Sequence, residues 1–269
     1  GRADVWVFDA TNLGASAGGD EIAIVNAFGD TPRALAVSPD GLTVYLAVFH
    51  SGNKTTTVSE GALPTPAPLP TLSGLPAPQV GVMLQQVGPT TWRDVNGSDH
   101  NGLVRFSLPD QDVFTIDADA TVLDASAITS SVSSVGTILF NMVVHPQNGT
   151  IYVSNTDANN MDRFEGSGAT SLRGELHRAQ ISLISGGVAQ PRRLNPHIVY
   201  TNLTPAQDVN DRSLAMPTDM AITSDGSTLY VAAFGSRKIG IVDTAALALA
   251  PGSPGAFAPD TADHVELSA

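Results

Sequence analysis

The sequence predicts an all-β fold, because one β-hairpin pattern occurs three times along the chain. The copies occupy residues 34–47, 142–154 and 220–232, and each joins two short apolar runs through an Asp-Gly or Asn-Gly pair. Such a pair is a strong hairpin signal, because both turn residues tolerate a positive φ angle. The second run always carries a tyrosine, whose shared position predicts packing between repeats. A hairpin that recurs at intervals indicates a β-propeller.

The composition agrees with many short strands joined by tight turns. Of the 269 residues, 42% are hydrophobic, only 14% are charged, 25 are glycine and 18 are proline. A chain of this length can form one large all-β domain with a sizeable core. We therefore predict a single partial propeller domain over residues 1–269.

The charge and the absence of cysteine exclude several classes of function. The formal net charge is −13, so the chain repels nucleic acid and anionic lipid. No apolar run approaches the ~20 residues of a membrane span. The absence of cysteine rules out disulfides, thiolate metal sites and covalent attachment of c-type haem within this chain. The strand-like start without an initiating methionine indicates a processed product or a piece of something longer.

The apolar runs can be assigned to successive four-stranded blades, from inner to outer strand. Residues 5–10 and 22–27 look like the outer pair of an early blade, and the three hairpins open the following blades. Residues 113–117 and 239–243 resemble the first run, which predicts third strands, and residues 193–199 are a candidate fourth strand. The count is about three and a half blades. Closed propellers have four to eight, so exposed edges are expected.

Long loop insertions are expected because the hairpins lie farther apart than the roughly 40–50 residues of a blade. We predict insertions at about residues 61–110, 155–173 and 200–216. The first is rich in proline between residues 61 and 78, which favours an extended strap over the surface.

One oxygen-rich loop is a candidate Ca²⁺ site. Asp94, Asn96 and Asp99 offer closely spaced oxygen ligands, as a calcium loop does, although the twelfth residue, Arg105, does not match an EF-hand. The alternative is a polar surface turn.

A second oxygen-rich loop contains Asp157, Asp162 and Glu165, which also suit Ca²⁺, a cation that prefers oxygen ligands. Alternatively, Arg163 pairs with a neighbouring carboxylate and only fixes the loop.

Parts of the chain resemble known bacterial proteins. Residues 38–47 and 224–235 resemble YVTN-type propeller repeats, which occur in surface-layer, lactonase-like and cytochrome-associated proteins. Residues 69–81, 106–114 and 155–166 resemble large exported proteins in which such a propeller precedes a c-type haem domain related to di-haem peroxidases. The resemblance implies a periplasmic or extracellular location, with haem only on a partner or a downstream domain.

We therefore expect a non-catalytic binding or assembly module, completed by further chain or by a protein partner such as a c-type cytochrome. One alternative is a lactonase-like hydrolase with a metal ion in the central channel. Asn141 and Asp219 occupy equivalent inner-strand positions and are its best ligand candidates, whereas Arg33 at the matching place argues against a ring of ligands. Another alternative is a surface-layer or appendage subunit whose edges pair between chains.

Overall fold

The fold consists almost entirely of antiparallel β-sheet, which confirms the all-β prediction. The described α-helices are short: α1 spans Gln207–Asp211 and α2 spans Thr244–Ala248. No helix among the described residues is long and apolar enough to cross a membrane. The computed structural model describes residues 3–62, 81–94, 97–105, 110–158, 177–199, 202, 205–260 and 264–267.

Seventeen strands are present in the described part of the chain. In chain order they are β1 (Ala3–Val7), β2 (Ala23–Ala27), β3 (Pro32–Val37), β4 (Thr43–Val48), β5 (Thr55–Ser59), β6 (Gly81–Gly88), β7 (Thr91–Arg93), β8 (Val113–Asp117), β9 (Ile128–Val132), β10 (Ile138–Val144), β11 (Ile151–Ala158), β12 (His177–Ser185), β13 (Val188–Arg193), β14 (Pro217–Ile222), β15 (Thr228–Ala233), β16 (Lys238–Asp243) and β17 (His264–Glu266).

These strands form four successive sheets and one inserted sheet. The first sheet contains β1 and β2, the second has the order β3-β4-β8-β9, the third β10-β11-β12-β13 and the fourth β14-β15-β16-β17. The inserted sheet, β5-β6-β7, lies between β4 and β8 in the sequence. Strands β8 and β16 occupy the third place in their sheets, as the resemblance between their sequences predicts.

The four sheets pack face to face in a row. The inner strand β10 lies between the inner strands β3 and β14. A separate hydrophobic cluster fills each space between neighbouring sheets, with Phe114 in the first space, Val113 in the second and Tyr152 in the third. Four-stranded antiparallel meanders packed in this way around their inner strands are the architecture of a β-propeller.

One strand was predicted wrongly. The fourth strand of the third sheet is β13, at Val188–Arg193, and not residues 193–199. Gly186 and Gly187 both have positive φ angles, of 58° and 77°, which lets β12 turn directly into β13. Pro191 hides this strand in the sequence, but an edge strand tolerates proline because its N–H does not have to pair.

The predicted insertions lie only partly within the described structure. Strand β11 continues to Ala158 and β12 begins at His177, and the region between them lies outside the described residues. The same holds for residues 63–80, which include most of the proline-rich strap. Helix α1 lies in the third predicted insertion.

The hairpin turns at Gly149 and Gly226 generate a matched prediction. Both glycines have left-handed φ angles, of 73° and 77°, so alanine costs about 1–2 kcal/mol at either place. A Cβ at Gly149 meets open space, whereas one at Gly226 meets the ring of His145, which is 91% buried. We expect Gly226→Ala to lower the free energy of unfolding by about 1–3 kcal/mol more than Gly149→Ala, measured by urea denaturation. Equal losses would contradict this contact between the third and fourth sheets.

Candidate functional site

The repeated tyrosines reveal which sheet faces are covered. Tyr45, Tyr152 and Tyr230 hold the same position in the second strand of their sheets. In each sheet the antiparallel register places the tyrosine opposite the residue at the corresponding place in the inner strand. Tyr152 is only 2% exposed, since the fourth sheet covers it. Tyr230 is 41% exposed, because no described sheet follows the fourth.

The exposed side of the fourth sheet is apolar over three strands. Tyr230 lies opposite Ile241, and Ile239 lies between Ala232 and Val265. Residues directly opposite each other share one face of a sheet, so these five side chains form one surface. We call this surface the open face and define it as Tyr230, Ala232, Ile239, Ile241 and Val265.

The third sheet shows how exposed these positions are when another sheet packs on them. The register makes Ser154, Ile181 and Leu183 the counterparts of Ala232, Ile239 and Ile241. Their exposures are 0%, 0% and 4%, because the fourth sheet packs on them. The open face therefore has the composition of a packing surface. Contiguous exposed apolar surface of this kind marks interaction sites in soluble proteins.

The structure brings part of the first predicted calcium loop together. The Asp94 carboxylate is buried, accepts a hydrogen bond from the Ser98 N–H at 3.0 Å, and lies 2.8 Å from Nε2 of His100. The Asp99 carboxylate accepts from Nε of Arg93 at 2.7 Å. Asn96 lies outside the described residues.

Only one member of the second predicted calcium loop is described. The Asp157 carboxylate accepts hydrogen bonds from Asn53 Nδ2 at 2.8 Å and from Thr137 Oγ1 at 3.2 Å. Asp162 and Glu165 lie outside the described residues. Among the residues that the structure describes, no group of three or more acidic, histidine or cysteine side chains could hold a metal ion.

Asn141 and Asp219 meet across the inner strands β10 and β14. Asn141 Nδ2 donates a hydrogen bond to the Asp219 carboxylate at 2.5 Å, and Asn141 Oδ1 is buried without a partner. The register places Ala34, and not Arg33, at the corresponding position of β3. Arg33 lies instead over the ring of Phe49, 5.6 Å from its centroid.

Sequence reasoning missed a buried pair of carboxylates. Asp112 is fully buried and accepts hydrogen bonds from Ser51 Oγ at 2.5 Å and from the Val135 N–H at 2.7 Å. Asp110 lies beside it, with a side chain that is 4% exposed and an Oδ1 without a partner. Lys54 is 3.8 Å from the other oxygen of Asp110. The signal for this pair that the sequence offers is the presence of two aspartates directly before an apolar strand.

Comparisons with known proteins give remote structural matches only. No protein-family model and no curated protein matches the chain. Hydrazine synthase of Kuenenia stuttgartiensis is 15% identical, over 84% of this chain and 68% of that one, with a TM-score of 0.36. The Cps50 (Swd1) β-propeller domain of Myceliophteria thermophila is 11% identical, over 90% of this chain and 48% of that one, with a TM-score of 0.36. A putative 6-phosphogluconolactonase from Bacteroides uniformis is 13% identical, over 90% of this chain and 60% of that one, with a TM-score of 0.31. TM-scores of this size carry no argument about function.

The carboxylate pair generates a prediction about pH. Burial, and then the neighbouring Asp110 charge, raise the pKa of Asp112 from 3.8 to about 7. At pH values between 3.8 and about 7, the Asp112 carboxyl keeps a proton in the folded state that it has lost in the unfolded state. This contribution to the free energy of unfolding therefore falls as the pH rises through that range. We expect Asp110→Asn to flatten this dependence, measured by denaturation from pH 4 to 8.

Asp119→Asn is the matched control, because Asp119 is exposed and its substitution leaves the pair intact. An Asp110→Asn protein with the same pH profile as the control would contradict the contribution of the Asp110 charge to the raised pKa of Asp112.

Proposed function

We propose that this chain is a non-catalytic β-propeller module that binds a protein partner through the open face. The observation that carries the proposal is the contrast between Tyr230 and Tyr152, which hold the same repeat position with exposures of 41% and 2%. Transfer of apolar surface out of water favours association. The partner surface that fits is another apolar sheet face, because a sheet covers the same position in the third sheet.

The setting of this module is an exported bacterial protein, in the periplasm or outside the cell. The resemblance to YVTN-type propellers of cytochrome-associated proteins supports this setting. A haem-bearing domain or subunit is the proposed neighbour. Because the chain contains no cysteine, covalently attached haem belongs to that neighbour.

Absorption spectroscopy of the natively isolated, tagged chain tests the haem association. We expect a Soret band that shifts on reduction with dithionite. Tyr230→Glu places a charge on the open face, so we expect the Soret band to be lost from the isolated material. The matched control is Leu42→Glu, which changes a turn residue that is 54% exposed and lies outside the open face.

Three outcomes contradict parts of the proposal. A wild-type spectrum without a Soret band removes the haem-bearing partner. Equal loss in the Tyr230→Glu and Leu42→Glu proteins removes the open face as the binding surface. Filaments formed by the purified chain favour a surface-layer or appendage subunit whose edges pair between copies.

The pair of Asn141 and Asp219 supports a second candidate, a lactonase-like metal-dependent hydrolase. The two side chains meet at equivalent places on adjacent inner strands, and the buried Asn141 Oδ1 lacks a partner. A metal ion that binds oxygen would satisfy this atom. Ala34 in the third inner strand contributes no ligand, which weakens this candidate.

Thermal unfolding with Ca²⁺ or with a chelator separates the possible metal sites. If the hydrolase proposal holds, Ca²⁺ raises Tm and supports lactone hydrolysis, and Asp219→Asn abolishes both effects. If instead the loop of Asp94, Asn96 and Asp99 binds Ca²⁺, Asp99→Asn abolishes the Tm shift and Asp219→Asn does not. For the non-catalytic module we expect no metal-dependent hydrolysis by the wild-type chain.

A further inference from the structure

A cavity lies at the outer edge of the third sheet, away from the sites described so far. It has a volume of about 730 Å³ and is bounded by β12, by the edge strand β13 and by residues 249–258, the loop that follows helix α2. Neither Asn141 nor Asp219 lines it, and no residue of the open face does. A cavity of this size accommodates a small organic molecule.

The lining of the cavity includes a buried positive charge. Arg192 in β13 is only 9% exposed. Its guanidinium donates hydrogen bonds of 2.9–3.2 Å to five neutral oxygens, which are the carbonyls of Pro191, Leu247, Ala248 and Leu249 and the side-chain Oε1 of Gln190. In the described part of the chain, Arg192 forms no ion pair with a carboxylate. Burial of a charge without an opposite charge is costly, so an anion in the cavity would be favoured.

Arg193 adds a second positive charge to the lining. Its side chain is exposed and forms no hydrogen bond or ion pair with any described residue. The other charged residues of the described lining offset each other, because Asp157 and Arg178 lie directly opposite each other on β11 and β12. The cavity therefore carries a net positive charge in a chain whose formal net charge is −13. Protection of an edge strand explains a charge at Arg193, but it does not explain a cavity beside a buried guanidinium.

The loop after helix α2 supplies an apolar wall. Leu249 is 42% exposed, and Phe257 packs on the hydrophobic cluster between the third and fourth sheets. The Phe257 N–H donates to the Ala246 carbonyl at 3.1 Å, which fastens the loop to the helix. Pro196 and Pro251 complete this wall. Sites for small molecules combine an apolar lining with a few polar groups that orient the ligand, as this cavity does.

We propose that this cavity binds a small organic anion, with a carboxylate or phosphate group near Arg192 and Arg193 and an apolar group against Leu249 and Phe257. Guanidinium groups form strong, charge-assisted hydrogen bonds with both kinds of anion. Side chains of consecutive strand residues leave the strand on opposite sides, so the anionic group lies at the edge of β13, where the cavity reaches both arginines. The site does not depend on the proposed function, because it shares no residue with the open face.

Small probe molecules separate the need for charge from the need for apolar surface. Isothermal titration calorimetry of the full chain compares benzoate and phenyl phosphate, which combine an anion with an aromatic ring. We expect binding of at least one of them, and the tighter of the two identifies the preferred anionic group. Benzamide lacks the charge, whereas acetate and inorganic phosphate lack the ring. We expect each of these three to bind at least about tenfold more weakly.

Arg193→Gln tests the position of the site. This substitution removes a charge without removing a hydrogen bond among the described residues, so we expect an unchanged Tm and an affinity for the tighter aromatic anion that is at least about tenfold lower. The matched control is Arg33→Gln, which removes the same charge from an exposed side chain that lies over the ring of Phe49, outside the cavity. We expect the control to bind as the wild-type chain does.

Three results overturn the proposal. The first is the absence of binding heat for both aromatic anions at millimolar concentration. The second is equal affinity for benzoate, phenyl phosphate and benzamide, which would show that the cavity does not recognise charge. The third is an equal loss of affinity in the Arg193→Gln and Arg33→Gln proteins, which would show that the anion responds to the overall charge of the chain and not to this cavity.

Discussion

Face-to-face packing of sheets is the constraint on which the rest of this structure depends. A sheet in this chain is apolar on both faces, so neither face can remain in water without cost. In β4 and β11 the consequence is a strand buried on both sides, as at Leu46, Ala47, Tyr152 and Val153. The second and third sheets are therefore each stabilised by the sheet before them and the sheet after them. The row has two ends, and both ends retain surfaces of the kind that the interior sheets bury.

Polar groups set the alignment of the sheets that the apolar faces hold together. Ser182 Oγ donates at 2.6 Å to the carbonyl of Val135, which lies in the connection between the second and third sheets, and Ser154 Oγ donates to the Thr218 carbonyl between the third and fourth sheets. All of these side chains are buried, so a shift between the sheets would leave polar atoms unpaired. The inner strands β3, β10 and β14 also share a bulge at the same place. Bulges redirect side chains, which is how Asn141 and Asp219 come to meet.

The sequence predicts this fold as far as local signals extend. The Asp-Gly and Asn-Gly turns and the repeated tyrosines identify the hairpins, since both are properties of a few adjacent residues. Strand β13 escapes prediction because Pro191 is acceptable only in an edge strand, and an edge is a property of the assembled sheet. The open face escapes for a similar reason, because Ile239, Ile241 and Val265 become neighbours only through strand pairing. Asp110 and Asp112 are visible in the sequence, but their burial depends on the distant loop of Ser51.

The chemistry of the two ends distinguishes an interface from a solvent edge. Natural sheets protect solvent edges with charged residues, proline and bulges, and β13 does so with Pro191, Arg192 and Arg193. The five residues of the open face include no charged residue and no proline, and Tyr230 is 41% exposed, whereas the face of Trp6 in the first sheet, which is 53% exposed, also carries Asp4. Only 14% of the residues of this chain are charged, and they do not interrupt the open face. The open face thus keeps the residue types of a buried interface, and this chemistry is the basis of the proposal that a partner covers it.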